Sequence, residues 1–253
     1  MNEFSAWLLD LYADPQEGVV LWVIDDEGNR RRLSHPFPTT FFVHGDSRRL
    51  RELWQYLASR PYPLSLSRRE ERDLFADSAL PVLAVEAATP TRQERTFGRL
   101  KDTFPELDYY NADLPLSLRY AAQHGTYPLG RCRVKVDDGD QIQSIAALDT
   151  PWDIDPPPIP LHKMALAPDC NPFHESPRAL KVRLGQREYR FPFHEGRSLL
   201  IKLRALLNKH DPDLLLTVWG DNWLVPRLQE LEEQHHISLP LNRDAGRGVE
   251  RRP

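Results

Sequence analysis

The sequence predicts an α+β / α/β fold in two parts, and three observations carry that expectation. Apolar runs of strand length, separated by turn residues, open the chain. From Ser47 onward, runs with helical spacing alternate with further strand-length runs. A proline-stiffened stretch, Thr150-Pro151-Trp152-Asp153-Ile154-Asp155-Pro156-Pro157-Pro158, can be neither a central strand nor a helix interior. We therefore divide the chain into an α+β domain over 1–132, a Pro-rich connector over 133–160 and a second, α/β domain over 161–253. With 253 residues there is enough chain to bury two modest cores.

Phe4 to Tyr12 and Gly18 to Ile24 are strand-length runs either side of Asp14-Pro15-Gln16-Glu17-Gly18. Arg30 to Leu33 and Thr39 to Val43 return as further strands, so an antiparallel meander is expected. The period then changes: Leu50, Leu53, Trp54 and Leu57 share one face of a helix over Ser47 to Ala58, with Ser47 as its N-cap, ended by Pro61 and Pro63. Leu64 to Ser67 and Leu80 to Ala87 read as strands flanking the charged segment Arg68 to Asp73. Thr91 to Phe104 and Leu116 to His124 read as helices, the latter stopped by Gly125. From Lys135 the chain loosens, and Asp137-Asp138-Gly139-Asp140 is a turn.

In the second part, Leu161 to Ala167 is a strand, and Ala179 to Leu184 pairs with Glu188 to Phe193 as a hairpin about Gly185-Gln186. Arg197 to Lys209 is a helix burying Leu199, Leu200, Leu203, Leu206 and Leu207. The run Leu214 to Trp219 suits a strand buried on both faces of a covered sheet. It stops at Gly220-Asp221, and Asn222 is placed to cap a helix carrying Leu224, Leu228 and Leu231.

The wording of this last segment is more specific than its pattern. DPDLLLTVWGDNWLVPRLQELEEQHHISLPLNRD resembles the part of family B DNA polymerases that holds the second motif of their 3′–5′ proofreading exonuclease, a strand ending Tyr-Asn-Gly-Asp-Asn-Phe-Asp before a helix. In that family the Asn and the last Asp serve the reaction, the Asp by placing metal ions. Trp219 stands at the position of the Asn and Leu224 at that of the metal-binding Asp. LHKMALA stands where the family's first exonuclease strand ends in Asp-Ile-Glu, which sets Ala167 at the Asp and Asp169 at the Glu.

The opening stretch WLLDLYADPQEGVVLWVIDDEGNRRRLSHPFPTTFFVHG looks like the start of the same polymerases, and NADLPLSLRYAAQHGTYPLGRC is similar to their Asp-Ile-Pro-x-x-x-Arg-Tyr-Leu segment. Archaeal members sense template uracil in a pocket of this domain. Pro38, Pro115, Leu116 and Arg119 match part of it, with Leu116 in place of an aromatic. The bland readings are core packing for Pro115 and Leu116 and a surface salt bridge for Arg119.

The resemblance implies an amino-terminal polymerase domain followed by a ribonuclease-H-like, exonuclease-type domain that lacks a closing piece. Two-metal phosphodiester cleavage needs several carboxylates converging on two cations. Ala167 and Leu224 supply none, so no catalytic residue set is intact, with Asp169 and Asp221 as weak metal candidates. Asp211 and Asp213 precede the strand and face the opposite edge of the sheet. The histidines show no ligand spacing: His235 and His236 are adjacent, and His162, His174, His194 and His210 are scattered. Trp219 and Trp223 border the cleft. Trp219 is expected to fill it as core, with stacking on unpaired bases as the other reading.

Charge and cysteine usage set outer bounds. With 33 Lys+Arg against 37 Asp+Glu the net charge is −4, so contact with a polyanion needs a local patch. The richest is Arg48, Arg49, Arg51, Arg60, Arg68, Arg69 and Arg72, and a second group is Arg243, Arg247, Arg251 and Arg252; a solvated face is the plain reading of each. Candidate DNA contacts are Arg119, Trp219, Asn222, Trp223, Arg48, Arg49 and Arg51. Cys132 and Cys170 form neither a CxxC site nor a disulfide framework, which fits a reducing, cytoplasmic setting. No apolar run approaches a membrane span.

The expected role is therefore the amino-terminal and exonuclease-type part of a bacterial-type family B DNA polymerase in replication or repair. It guides template DNA without proofreading and is inactive by itself. Its partners are single-stranded template or primer-template DNA and a palm, fingers and thumb region in the same or a separate chain. No cofactor is expected for this chain, and Mg²⁺ belongs to the parent polymerase. The alternatives are an active metal-dependent exonuclease with a rearranged site and a stand-alone protein-interaction module.

Overall fold

A computed structural model describes residues 2–61, 63–73, 75 and 78–244. The architecture is a sheet-rich α+β one, and the chain divides into two compact units, Met1–Ile159 and Pro160–Pro253. Arg247, Arg251 and Arg252 lie outside the described residues. Among the described residues no helix is long and apolar enough to cross a membrane.

The first unit holds two antiparallel sheets. Strands β1 (Asn2–Asp14), β2 (Gly18–Asp25) and β3 (Arg30–His35) form the expected meander. Strand β4 (Thr39–His44) leaves it for the second sheet, followed by helix α1 (Ser47–Ala58), β5 (Leu64–Arg72), β6 (Ala79–Ala87), helix α2 (Pro90–Thr103) and β7 (Asp108–Tyr110). That sheet runs β5-β6-β4-β7, and Phe41, Val43, Leu53, Leu57, Leu83, Val85 and Leu100 form its core. Strand β2 is apolar at nearly every position because both its faces are covered: Val19, Leu21 and Val23 enter the first core, while α2 packs against β1 and β2.

Helix α3 (Leu116–His124) ends at Gly125, whose φ of 70° is the left-handed conformation that a glycine C-cap takes without a steric penalty. Two strands follow, β8 (Arg131–Val136) and β9 (Ile142–Ala147), giving the first sheet the order β3-β2-β1-β8-β9. Its two edges meet: Ser34 pairs with Gln141, the Ser34 N–H donates to the Asp140 carbonyl at 3.1 Å, and Arg31 forms an ion pair with Asp140.

Four expectations are corrected here. Residues 133–147 are not connector, and Cys132 is no boundary. Cys132, Val134 and Val136 point into the first core while Arg133 is exposed, so the charged alternation is that of a half-buried strand. The division falls between Ile159 and Pro160. Strand β5 runs on through the charged segment to Arg72, because an edge strand tolerates charge along its length. The cap of α1 is Asp46, not Ser47: its carboxylate accepts the Arg48 N–H at 2.8 Å and the Arg49 N–H at 3.4 Å.

The second unit carries one mixed sheet. Strand β10 (Lys163–Pro168) pairs antiparallel with β11 (Ala179–Leu184), which pairs with β12 (Arg187–Pro192). Helix α4 (Gly196–His210) crosses over to β13 (Leu214–Thr217), which lies parallel to β10. The order is β12-β11-β10-β13, and helix α5 (Val225–His235) closes the unit. Met164, Leu166, Leu180 and Val182 meet Leu199, Leu200, Leu203, Leu207, Leu228 and Leu231 in the core. The fourth correction concerns β13. It stops at Thr217 and ends the sheet, so it is not buried on both faces; Leu216 is 52% and Val218 53% exposed.

Candidate functional site

Parallel β10 and β13 end side by side, which is where open α/β sheets place ligands. Leu166 is in register with Thr217, and its carbonyl accepts the Val218 N–H at 3.1 Å, so the residues beyond, Ala167 on one strand and Trp219 on the other, sit at this edge. Trp219 takes a φ of 58°, and a π-helical turn over Gly220–Leu224 follows. The turn needs glycine at 220, because a Cβ there would lie 2.0 Å from Thr217 Oγ1 and 2.9 Å from its Cβ. The Trp219 carbonyl accepts the N–H groups of Trp223 at 3.0 Å and Leu224 at 2.8 Å. These bonds turn the Leu224 side chain into the core, where it is 0% exposed.

Asn222 does not cap α5: it is exposed within the π turn, and the helix has no side-chain N-cap. Trp219 is not core either. The residue is 38% exposed and its ring meets Phe173 edge to face at 5.3 Å, because the left-handed backbone swings it off the strand. Trp223 is half-buried and meets Phe193 edge to face at 5.5 Å.

Asp169 is committed to the fold. Its Oδ1 accepts the N–H groups of Arg178 at 2.9 Å and Ala179 at 3.2 Å, and its Oδ2 accepts from Arg190 Nη2 at 2.6 Å. Burial pushes this carboxyl up, but the hydrogen bonds from Ala179 and Arg178 and the Arg190 charge outweigh it and hold the carboxyl below its ordinary range. Asp221 is exposed on the π turn. A methyl group at 167 and a buried isobutyl group at 224 offer no ligand atoms, so these residues do not fit a two-metal centre. Among the described residues no group of three or more His, Cys, Asp or Glu is arranged to hold a metal ion.

At the opposite end of the sheet Asp211 and Asp213 share Arg243, whose Nη2 lies 2.9 Å from Asp211 Oδ1 and 3.0 Å from Asp213 Oδ1. Asp213 Oδ2 also accepts the His162 N–H at 2.7 Å.

In the first unit, Arg119 forms no ion pair among the described residues. Its Nε donates to the Leu114 carbonyl and its Nη1 to that of Thr40, both at 3.2 Å, while Nη2 is buried with no partner. Burial lowers the guanidinium pKa, with Asp113 opposing. These bonds tie the start of α3 to the start of β4, beside exposed Pro115 and Pro38, while Leu116 packs on the first core.

The arginine patch separates by function. Arg48 pairs with Glu52 at 3.2 Å, Arg49 pairs with both Glu52 and Glu106, and Arg60 lies 4.0 Å over the Tyr56 ring. Arg51 is exposed and makes none of these bonds. Sequence reasoning passed over one half-buried cluster: His35 Nδ1 lies 2.7 Å from the Tyr120 hydroxyl, and the His124 ring sits 5.1 Å from that of His35 with its Nε2 unpaired among the described residues. Burial, and then the neighbouring His124, lower the His35 pKa to about 4. The available signal was a histidine ending β3 and another ending α3.

Comparison with solved structures finds a similar fold in the family B DNA polymerase from the hyperthermophilic archaeon Pyrobaculum calidifontis. The TM-score is 0.71 at 21% sequence identity, over 94% of this chain. The chain spans 33% of that polymerase's length. No protein-family model and no curated protein sequence matches the chain.

Proposed function

We propose that this chain is the amino-terminal and exonuclease-type portion of a family B DNA polymerase, serving replication or repair as a template-guiding scaffold without proofreading. One observation carries the reading. Three antiparallel strands, a crossover helix and a strand parallel to the first suit a ribonuclease-H-like sheet, and at its ligand-binding edge Ala167 and Leu224 stand where the exonuclease motifs place carboxylates. The likeness in fold to the Pyrobaculum polymerase supports the same assignment.

On this reading the chain works on DNA in the cytoplasm, beside palm, fingers and thumb elements in the same or a separate chain. Polymerisation and its Mg²⁺ belong to those elements. What remains here is binding: the half-exposed Trp219 ring offers a stacking face for an unpaired base, and Trp223, Asn222 and Asp221 lie on the turn beside it.

The test is incubation of the purified chain with end-labelled single-stranded DNA and Mn²⁺, followed by a binding titration over a range of salt. Intact DNA together with affinity that falls steeply as salt rises is the expected pair of results. Digestion abolished by Asp169→Ala or Asp221→Ala would establish a rearranged exonuclease instead, and no affinity at low salt would favour an interaction module.

A further inference from the structure

A groove in the first unit lies between α1 and the β5–β6 hairpin. Its volume is about 530 Å³, within the span of small-ligand clefts, and Leu50, Val82 and Leu83 give it an apolar lining. Arg51 and Trp54, three residues apart on α1, border one side. Arg68 and Arg69 border the other, in register with Leu83 and Val82 of β6.

Among the described residues no Asp or Glu lines this groove. On the same helix Arg48 and Arg49 are neutralised by Glu52 and Glu106, whereas Arg51 and Arg68 border the groove. Strand alternation explains the placement. Arg68 shares the face of Leu64 and Leu66, which pack into the core, and continues that face past the point where the core ends, while Arg69 lies on the other face and donates its Nε to Ser67 Oγ at 3.3 Å. The side chain of Trp54 is half-buried, with its inner part against the core and the rest facing the groove.

We propose that this groove binds a short stretch of single-stranded nucleic acid, with phosphates against Arg51 and Arg68 and a base against Trp54. Guanidinium groups pair with phosphate oxygens through fork-like hydrogen bonds, and an indole face stacks on any unpaired base. A duplex keeps its base faces stacked inside and has nothing to offer Trp54. An acidic peptide would meet the arginines but leave the indole and the apolar lining unused. The proposal rests on the reading of this chain as a DNA-guiding part and names where the strand is held.

The experiment uses the full chain and a fluorescein-labelled oligothymidylate, followed by anisotropy at several salt concentrations. A variant carrying Arg51→Ala and Arg68→Ala is compared with one carrying Arg183→Ala and Arg204→Ala, which removes the same charge from exposed positions of the second unit. The groove variant is expected to bind roughly tenfold more weakly, with the slope of log affinity against log salt reduced by about 1.4, the loss of two phosphate contacts on a single strand. The control variant is expected to bind within about twofold of the wild type, the size of effect left when charge is removed away from the bound phosphates. Photocrosslinking of a bromodeoxyuridine-substituted strand to the wild-type chain gives a readout independent of the variants' folding, and adducts are expected on the α1 peptide that contains Trp54. Equal losses in both variants, adducts confined to other peptides, or equal affinity for polyglutamate would each overturn the groove while leaving a DNA-binding scaffold standing. Absence of binding by the wild type at low salt would overturn both.

Discussion

Asp169 and Arg190 form an ion pair at 2.6 Å that spans β11, joining the residue after β10 to β12. Together with the Arg178 and Ala179 N–H groups, Arg190 occupies a carboxylate that a nuclease would leave open to metal.

Asp169→Ala is therefore expected to act on the fold. Two backbone donors lose their acceptor, so unfolding in urea should come about 1–3 kcal/mol earlier. Behaviour toward DNA with Mn²⁺ should stay as it was. Unchanged stability in the denaturation curve would contradict the structural assignment.

Leu224 is expected to behave as core in the same way. Leu224→Ala removes three carbons from a fully buried site and should cost roughly 2–5 kcal/mol. Leu224→Asp, which restores the carboxylate of the exonuclease motif, should cost more, because the charge enters a hydrocarbon environment with no cation beside it. A stable, metal-binding Leu224→Asp protein, seen by calorimetry with Mn²⁺, would overturn this account.

The Asp213 side chain is fully enclosed against Arg243 and the His162 N–H. Asp213→Ala leaves both donors without it and should lower stability by about 2–4 kcal/mol. Hydrogen exchange should quicken first at the start of β10 and β13, and the π turn at the other end of the sheet should be unaffected.

The His35 imidazole sets a pH dependence. Its pKa falls from 6.5 to about 4 on folding, through burial and then the nearby His124, which is itself lowered by burial. As pH drops, the unfolded chain takes up the proton first. Stability is thus full above pH 6.5, declines between 6.5 and 4, and loses nothing more from this group below that window. The loss should reach roughly 2–3 kcal/mol after allowance for partial exposure. Subtracting the curve for His35→Gln, measured by urea unfolding, should isolate it from the carboxylates.

The helices were the legible part of the sequence. Leu53 and Leu57 of α1, and Leu199, Leu200, Leu203 and Leu207 of α4, are buried where their spacing put them, because a helix packing on a sheet must keep one continuous apolar stripe. Strands announced themselves only when buried on one or both faces by local neighbours. β8 was hidden by Arg133 and Lys135, and the outer half of β5 by its charges, since a strand's environment depends on partners far along the chain. The candidate site was legible as a substitution, Ala167 and Leu224 for carboxylates. The commitment of Asp169 was not, because Arg178 and Arg190 reach it from 9 and 21 residues away across a hairpin.

The free margin of β13 sets how this protein behaves when concentrated. β5 and β12, the longer outer strands, are lined with arginine and glutamate, β7 is three residues long, and β3 and β9 are joined to each other. Among the described residues only β13 ends its sheet with bare hydrocarbon, at Leu216, so molecules crowded together stick there first. Writing lysine in place of Leu216 should keep a stored, warm sample clear for longer.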